Sequence, residues 1–236
     1  MSARNNPVPA RESPLLCYVT DRRSLSATSP ADSIEALIRK IAQVAAAGVD
    51  WVQIREKDLT ASELASLTRQ SLEIVAKSSA KNSCATRVLV NDRLDVAIAE
   101  RAGGVHLGER SLPEAKQLVA SAPRKHAVDQ KFLIGVSCHS LESAQAAERS
   151  GADYIFFGPV FPTPSKAAYG EPQGLTRLSE VCRSVSIPVL AIGGITLQNA
   201  QSCIAAGAAG LAAIRLFQDA ISPQQSVESI RASSRP

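Results

Sequence analysis

The sequence predicts a single-domain α/β protein, a (βα)8 TIM barrel. Short apolar runs alternate with longer Ala-rich stretches of helical periodicity, which is typical of parallel strands covered by helices. Eight such runs occur in 236 residues, and that length suits one barrel. An open doubly wound sheet has the same alternation, but the chain has no Gly-rich dinucleotide loop opening a helix, so the closed barrel is favoured.

The apolar runs and the periodic segments between them predict the elements in order. The strands are expected at residues 15–20, 51–54, 88–90, 104–107, 132–136, 154–157, 188–192 and 211–214. The helices are expected near residues 32–47, 61–80, 93–102, 112–121, 140–150, 174–184, 196–206 and 222–231. The polar residues 1–13 are expected to be a disordered leader, so the domain is placed at residues 14–232.

The predicted helices begin and end at suitable residues. Asp32 or Ser33 is expected to cap the first helix, Ser140 with Ser143 the fifth, and Thr196 the seventh. Four glycines that each follow a small residue are expected to end a helix in the left-handed conformation just before a strand. They are Gly48, Gly103, Gly151 and Gly207.

The composition indicates a globular protein with a core of small aliphatic side chains, because 45% of residues are hydrophobic and only 4% are aromatic. The net charge of +4 is spread along the chain, so nucleic-acid binding is not predicted. No apolar run approaches the roughly 20 residues that span a bilayer, so no membrane partner is expected. The five cysteines form no CxxC pair and are expected to be buried thiols, which favours the cytoplasm.

The first polar cluster, Gln53-Ile54-Arg55-Glu56-Lys57-Asp58, follows the second strand. Strand alternation would place Gln53, Arg55 and Lys57 on one side, so that an amide and two cations face the barrel mouth together. A solvated charged turn is the alternative.

The third and fourth strands end near oxygen ligands. Asn91 and Asp92 could hold Mg²⁺ and a phosphate, because Mg²⁺ usually takes one or two carboxylates plus phosphate oxygens. The alternative is that either residue caps the next helix. Glu109 could join Asp92 at a metal, whereas His106 lies in an apolar run and is expected to be a core histidine with its hydrogen bonds satisfied.

Two strand ends and their loops carry reactive or phosphate-binding groups. Ser137 and His139 follow the fifth strand, where His139 could act as a general acid or base, cap a helix, or make an orienting hydrogen bond. After the sixth strand, a long loop brings the hydroxyls of Thr163 and Ser165 beside Lys166, and this combination suits a phosphate.

The last two strands end in turns suited to an anion. Gly193 and Gly194 follow the seventh strand, and Ile214 and Arg215 follow the eighth. Backbone N–H groups here would form the anion site common in barrels after these strands, and Arg215 would add a full charge.

Taken in order, these motifs resemble those of the thiamine phosphate synthase family across residues 15–217. They are Gln53-x-Arg55-Glu56-Lys57, Asn91-Asp92-Arg93, Gly104-Val105-His106-Leu107-Gly108, Gly135-Val136-Ser137-x-His139, Gly158-Pro159-Val160-Phe161-Pro162-Thr163-x-Ser165-Lys166 and Ile192-Gly193-Gly194-Ile195.

The resemblance implies a transferase of thiamine biosynthesis, which condenses hydroxymethylpyrimidine diphosphate with hydroxyethylthiazole phosphate and releases diphosphate. It implies Mg²⁺ as the cofactor, bound by Asp92, and places Gln53 by the pyrimidine. The residues implied on the diphosphate are Arg55, Lys57, Asn91, Ser137 and Lys166. All of these except Asn91 are implied in catalytic roles as well. Those implied around the thiazole phosphate are Thr163, Ser165, Gly193, Gly194, Ile214 and Arg215. Whether the chain forms a homo-oligomer stays open.

Three positions depart from the family's pattern. Ser111 stands where a second metal-binding Asp is usual, Glu109 where Gln is usual, and Arg215 where a small residue is usual. The closest relatives of the family, the thiazole tautomerases, supply an alternative function: a metal-independent isomerisation with His139 as the acid–base residue. Tautomerases typically lack the counterparts of Lys57 and Asp92, so their presence here favours the synthase.

A non-catalytic regulator that binds thiazole phosphate is a third hypothesis, because a fold alone does not establish function. Lys57, Asp92 and Lys166 argue against it, since such a sensor has no need of cations or a metal for a diphosphate.

Overall fold

The computed structural model describes residues 13–25, 29–79, 85–108, 111–112, 117, 132–163 and 171–232, and these form a closed parallel barrel. Each strand pairs with the next, and β8 pairs with β1. The strands are β1 (Leu15–Val19), β2 (Trp51–Ile54), β3 (Arg87–Asn91), β4 (Gly104–Leu107), β5 (Leu133–Cys138), β6 (Tyr154–Phe157), β7 (Val189–Ile192) and β8 (Gly210–Ala213). The predicted (βα)8 barrel is confirmed.

Helices follow most strands and cover the outside of the barrel. Those of the described residues are α1 (Pro30–Ala46), α2 (Ala61–Ser79), α3 (Leu94–Ala99), α4 (Leu141–Arg149), α5 (Gly174–Ser184), α6 (Leu197–Ala205), α7 (Arg215–Gln218) and α8 (Pro223–Ala232). A 3-10 turn at Arg22–Ser24 and the short α7 had not been predicted. The helix predicted at residues 112–121 lies mostly outside the described residues, as does the predicted leader except for its last residue.

The strands bury side chains on both faces. One apolar layer lies between the strands and the helices, and a second fills the barrel interior. Because successive side chains of a strand point to opposite faces, Trp51 and Gln53 point inward while Val52 and Ile54 contact the helices. Three aromatic side chains, Trp51, Tyr154 and Phe156, lie inside, where the ring centroids of Trp51 and Tyr154 are 4.7 Å apart. The described interior is therefore a packed core, so a ligand site is expected at the mouth.

The start of α1 differs from the prediction. The Ser29 side chain accepts a hydrogen bond of 3.1 Å from the Asp32 backbone N–H, so Ser29 is the cap and neither Asp32 nor Ser33 serves. Proline at the next position suits the first turn because its missing N–H would be unpaired there. The cap at Ser140 is confirmed, since its hydroxyl accepts from the Ser143 backbone at 3.1 Å.

The left-handed helix ends are confirmed at three of the four predicted glycines. Gly48, Gly151 and Gly207 have φ of 86°, 80° and 103°. At the fourth site Arg101 takes the left-handed conformation, with φ of 54°. Gly103 instead permits a close approach, because a Cβ there would lie 2.2 Å from Cγ of Arg87.

The described cysteines form no disulfide with one another, and most of them are buried. Cys17, Cys138 and Cys203 are buried and Cys182 is half-buried, whereas Cys84 lies outside the described residues. Among the helices that the structure describes, none has the length and apolar character needed to cross a membrane.

Candidate active site

Three polar side chains from β2 and β3 form one chain of hydrogen bonds at the carboxyl ends of these neighbouring strands. Gln53 is 1% exposed and donates through Nε2 to Oδ1 of Asn91 at 3.3 Å. Asn91 donates in turn through Nδ2 to Oδ2 of Asp92 at 2.7 Å. The structure thus brings these three predicted site residues together, and the two amides donate in succession toward the Asp92 carboxylate.

Asp92 adopts an unusual backbone conformation at the rim. Its φ is 60°, in the left-handed region that Asp tolerates better than most residues and that is enriched at functional sites. Its backbone N–H donates to the His106 carbonyl at 2.8 Å, which ties the rim of β3 to β4. The side chain is exposed. The position before α3 is Arg93, which makes no side-chain cap, so the helix-cap alternative for Asn91 and Asp92 is wrong.

The charged loop after β2 is partly buried, which the alternative of a solvated turn did not anticipate. The strand ends at Ile54, so strand alternation positions Gln53 but not Arg55 or Lys57. Arg55 is half-buried and Lys57 is exposed in a turn. Between them Glu56 is buried, and it contacts partners from the loop after β1.

Glu56 and Asp58 are both held by Arg22. Glu56 accepts from Oγ1 of Thr20 at 2.6 Å and from Nη1 of Arg22 at 3.0 Å. Both terminal nitrogens of Arg22 donate to Asp58 at 2.7 Å. Burial raises the pKa of Glu56, whereas the hydrogen bonds from Arg22 lower the pKa of Asp58 to about 2. The Thr20 hydroxyl also accepts from the Arg55 backbone at 2.9 Å, so this network positions the predicted cationic loop.

Sequence reasoning missed Thr20 and Arg22. The available signal was their position directly after β1, at the same carboxyl end of the barrel as the other site residues.

His106 and Ser137 meet inside the barrel. His106 is 2% exposed, and its Nε2 lies 2.9 Å from the Ser137 hydroxyl while its Nδ1 lies 3.2 Å from the Tyr154 hydroxyl. The prediction of a core histidine with satisfied hydrogen bonds is therefore confirmed. Burial lowers the pKa of His106 to about 3, so the ring is neutral near pH 7. Ser137 lies within β5, which runs two residues beyond its predicted end, and is half-buried.

His139 is exposed just beyond β5 and makes an orienting hydrogen bond. Its Nδ1 contacts the carbonyl of Gly158 at the end of β6. A carbonyl can only accept, so Nδ1 carries the proton and Nε2 is the basic nitrogen. Of the three roles considered for His139, this geometry matches the orienting hydrogen bond.

The Gly193-Gly194 turn packs directly against the loop after β6. The two glycines have φ of 96° and 67°. A Cβ on Gly193 would lie 2.6 Å from Cα of Pro159, and one on Gly194 would lie 2.6 Å from the Pro162 carbonyl oxygen. The Phe161 N–H donates to the Gly193 carbonyl at 3.0 Å. Only glycine fits at both positions, and the turn brings the backbone after β7 close to the Thr163-bearing loop.

Only some of the remaining predicted site residues lie among the residues that the structure describes. Thr163 and Ile214 are half-buried, and Arg215 is exposed at the start of α7. Ser165, Lys166 and Glu109 lie outside the described residues, and Ser111 is exposed. Within the described part of the chain, no three His, Cys, Asp or Glu side chains gather into a potential metal site. Of the two carboxylates predicted to bind a metal, Asp92 is the one that the structure describes.

Comparisons with known proteins agree with one another. The family model described as thiamine monophosphate synthase matches residues 18–217. A putative thiamine-phosphate synthase from Geobacter sulfurreducens is 47% identical over 72% of this chain and 73% of its own length. A thiamine-phosphate synthase from Roseiflexus castenholzii is 36% identical over 97% of this chain and 92% of its own. The solved structure of thiamine phosphate pyrophosphorylase from Pyrococcus furiosus has a TM-score of 0.74 at 29% identity, with 93% of this chain and 95% of that chain covered.

Proposed function

The chain belongs to the thiamine monophosphate synthase family, and from this premise we propose that it condenses hydroxymethylpyrimidine diphosphate with hydroxyethylthiazole phosphate. The products are thiamine phosphate and diphosphate. One observation carries the assignment of the site: the hydrogen-bonded chain from Gln53 through Asn91 to Asp92 lies at the mouth, beside the loop that carries Arg55 and Lys57.

The diphosphate is bound by cations and neutral donors. Arg55, Lys57 and Lys166 supply charge, and Asn91 and Ser137 supply shorter-range contacts. When the bond to the pyrimidine methylene breaks, negative charge grows on the departing oxygen, so groups that bind this charge more strongly in the transition state lower the barrier. The thiazole nitrogen then attacks the cationic methylene, and the reaction needs no protein nucleophile.

Gln53 recognises the pyrimidine. One N–H of its Nε2 donates to Asn91, and its carbonyl oxygen is an acceptor available to a ligand. An acceptor at that position suits the exocyclic amino group of an aminopyrimidine. Burial of Gln53 makes this contact stronger, because water cannot compete for it.

The thiazole phosphate binds at the two turns after β7 and β8. The backbone at Gly193 and Gly194 carries no side chain that would keep an anion away, and Thr163, Ile214 and Arg215 follow strands at the same end of the barrel. Ser165 is assigned to this phosphate by its sequence motif alone. Arg215 adds the positive charge that the usual small residue lacks.

Asp92 suits Mg²⁺ as one ligand among several. It presents an exposed, hard oxygen donor at the rim, and Mg²⁺ sites of this kind are completed by phosphate oxygens and water. When bound, Mg²⁺ would neutralise charge on the diphosphate. Glu109 is the candidate for a second carboxylate, since Ser111 offers only a neutral hydroxyl.

The tautomerase and regulator hypotheses are less well supported. The relatives reported above bear the synthase name, and neither alternative needs Lys57 and Asp92, which suit a diphosphate and its metal. The cytoplasm is the proposed location, because the described cysteines form no disulfide with one another.

An assay with both substrate sets tests the proposal. We expect thiamine phosphate and diphosphate from the two phosphorylated substrates with Mg²⁺, and loss of this turnover with a chelator. Absence of product with Mg²⁺ would refute the synthase. Chelator-resistant isomerisation of the thiazole carboxylate phosphate, abolished by His139→Ala, would establish the tautomerase instead.

A further inference from the structure

A line of three side chains runs from the barrel interior to the mouth. Tyr154 on β6 is fully buried, and its hydroxyl lies 3.2 Å from Nδ1 of His106 on β4. Nε2 on the other side of the same ring lies 2.9 Å from the Ser137 hydroxyl on β5. Each imidazole nitrogen therefore faces one hydroxyl.

Packing holds the two rings in this arrangement. The ring centroids of His106 and Phe156 lie 4.1 Å apart, with an angle of 30° between their planes. The Tyr154 ring lies over Gly135, where a Cβ would come within 2.0 Å of its Cζ. Rotation of either ring would thus meet neighbouring side chains or backbone, so each hydroxyl and each nitrogen keep their partner.

The direction of the hydrogen bonds follows from the donor count. A neutral imidazole has one N–H and one acceptor nitrogen. If Nδ1 carried the proton, Tyr154 would accept from it, and the buried phenol hydrogen would have no acceptor among the described residues. If Nε2 carries it, Tyr154 donates to Nδ1 and every group is satisfied. Burial also raises the pKa of Tyr154 well above its ordinary value, so the phenol keeps its proton.

We propose that Tyr154 holds His106 as the Nε2–H tautomer, and that His106 thereby directs the Ser137 hydroxyl hydrogen to the ligand. His106 donates to Ser137, so the serine oxygen has accepted and its own hydrogen is available at the mouth. Ser137 then acts as a donor to an anionic oxygen. Tyr154 and His106 are positioning residues, and neither touches the substrate.

The identity of the ligand as the diphosphate rests on the proposed function. A serine fixed as donor favours an anion over a neutral group and binds more tightly as charge grows on the leaving oxygens. No proton is transferred in this scheme, so the line of side chains sets a direction and does not act as a relay.

The tautomer can be measured without any substrate. We expect long-range ¹H–¹⁵N correlations of the labelled protein to show that Nε2 of His106 is protonated and that its Nδ1 is not. The chain has three histidines, so spectra of His126→Gln and His139→Gln assign the signals. Hydrogen on Nδ1 of His106 would overturn the proposal.

A double-mutant cycle tests the action through Ser137. Binding of inorganic diphosphate with Mg²⁺ is measured by calorimetry for Ser137→Ala, for His106→Leu and for the pair. We expect each single substitution to weaken diphosphate binding roughly tenfold. The double variant should bind diphosphate no more weakly than Ser137→Ala alone. His106→Gln, which keeps an N–H donor, should recover part of the affinity. Multiplied losses in the double variant would show an independent structural role and overturn the proposal.

The two proposals can fail separately. The Nε2–H tautomer and the coupled losses, found in a protein without synthase turnover, would support the hydrogen-bond direction and refute the synthase. Synthase turnover with an Nδ1–H tautomer would refute the direction alone.

Discussion

Arg22 and Asp58 form a bidentate ion pair, with each of two guanidinium nitrogens 2.7 Å from a carboxylate oxygen. The pair joins the loop after β1 to the loop after β2. Arg22 also donates to buried Glu56, so one side chain positions the loop that carries Arg55 and Lys57.

Replacement of Arg22 by Ala should destabilise the protein by about 3 kcal/mol, because the Glu56 carboxylate would be left buried without its cation. The same change should raise KM for the pyrimidine diphosphate, since Arg55 and Lys57 lose their support. Urea denaturation and steady-state kinetics measure the two effects. The matched control is Arg23→Ala, an exposed neighbour expected to change stability by no more than about 0.5 kcal/mol. Equal effects of the two substitutions would contradict the argument.

Asp58 should make stability depend on pH in the acid range. Arg22 lowers the pKa of Asp58 from 3.8 to about 2 in the folded state. The unfolded state therefore binds the proton first, so this contribution is present above pH 3.8 and is lost as the pH falls toward 2. We expect the free energy of unfolding to fall more steeply over this interval in the native protein than in Asp58→Asn. Parallel curves would show that the ion pair contributes nothing.

Gly194→Ala should disturb the thiazole phosphate site. The new Cβ would lie 2.6 Å from the Pro162 carbonyl oxygen, so the two loops must separate. We expect KM for hydroxyethylthiazole phosphate to rise at least roughly tenfold while binding of inorganic diphosphate is retained. Gly174→Ala is the control, since its φ of 72° is equally left-handed but nothing lies within 4 Å of the new Cβ. If both variants behave alike, backbone conformation and not loop contact decides the effect.

Asp92→Asn should abolish most of the Mg²⁺ response. Asparagine tolerates the left-handed φ of 60°, so the backbone is retained while the charge is lost. We expect kcat to fall by roughly a hundredfold, with half-maximal rate only at much higher Mg²⁺. A Mg²⁺ titration of turnover provides the measurement, and an unchanged titration would remove Asp92 from the metal site.

Lys166→Ala should lower turnover by at least roughly a hundredfold, because a cation that stabilises the departing diphosphate is lost. This expectation comes from the sequence motif, since Lys166 lies outside the described residues. Unchanged rates would exclude it from the mechanism.

Much of the architecture could be predicted because its causes are local. Apolar runs located all eight strands to within two residues at either end, and the polar residues following them marked the mouth. The cap of α1 was missed because Ser29 lies outside the run used to predict that helix. Strand alternation was expected to place Gln53, Arg55 and Lys57 on one side facing the mouth. It positions only Gln53, because β2 ends at Ile54, before Arg55 and Lys57.

By itself the sequence determined the succession of strands and helices, the family resemblance and the set of candidate ligands. These depend on periodicity and spacing along the chain. Only the tertiary structure decided that Glu56 points to Arg22, 34 positions earlier, and that His106 lies between Tyr154 and Ser137. Such partners meet because barrel closure makes neighbours of distant segments, and the free energy of burying a charge or an unpaired hydroxyl then selects the arrangement in which each is satisfied.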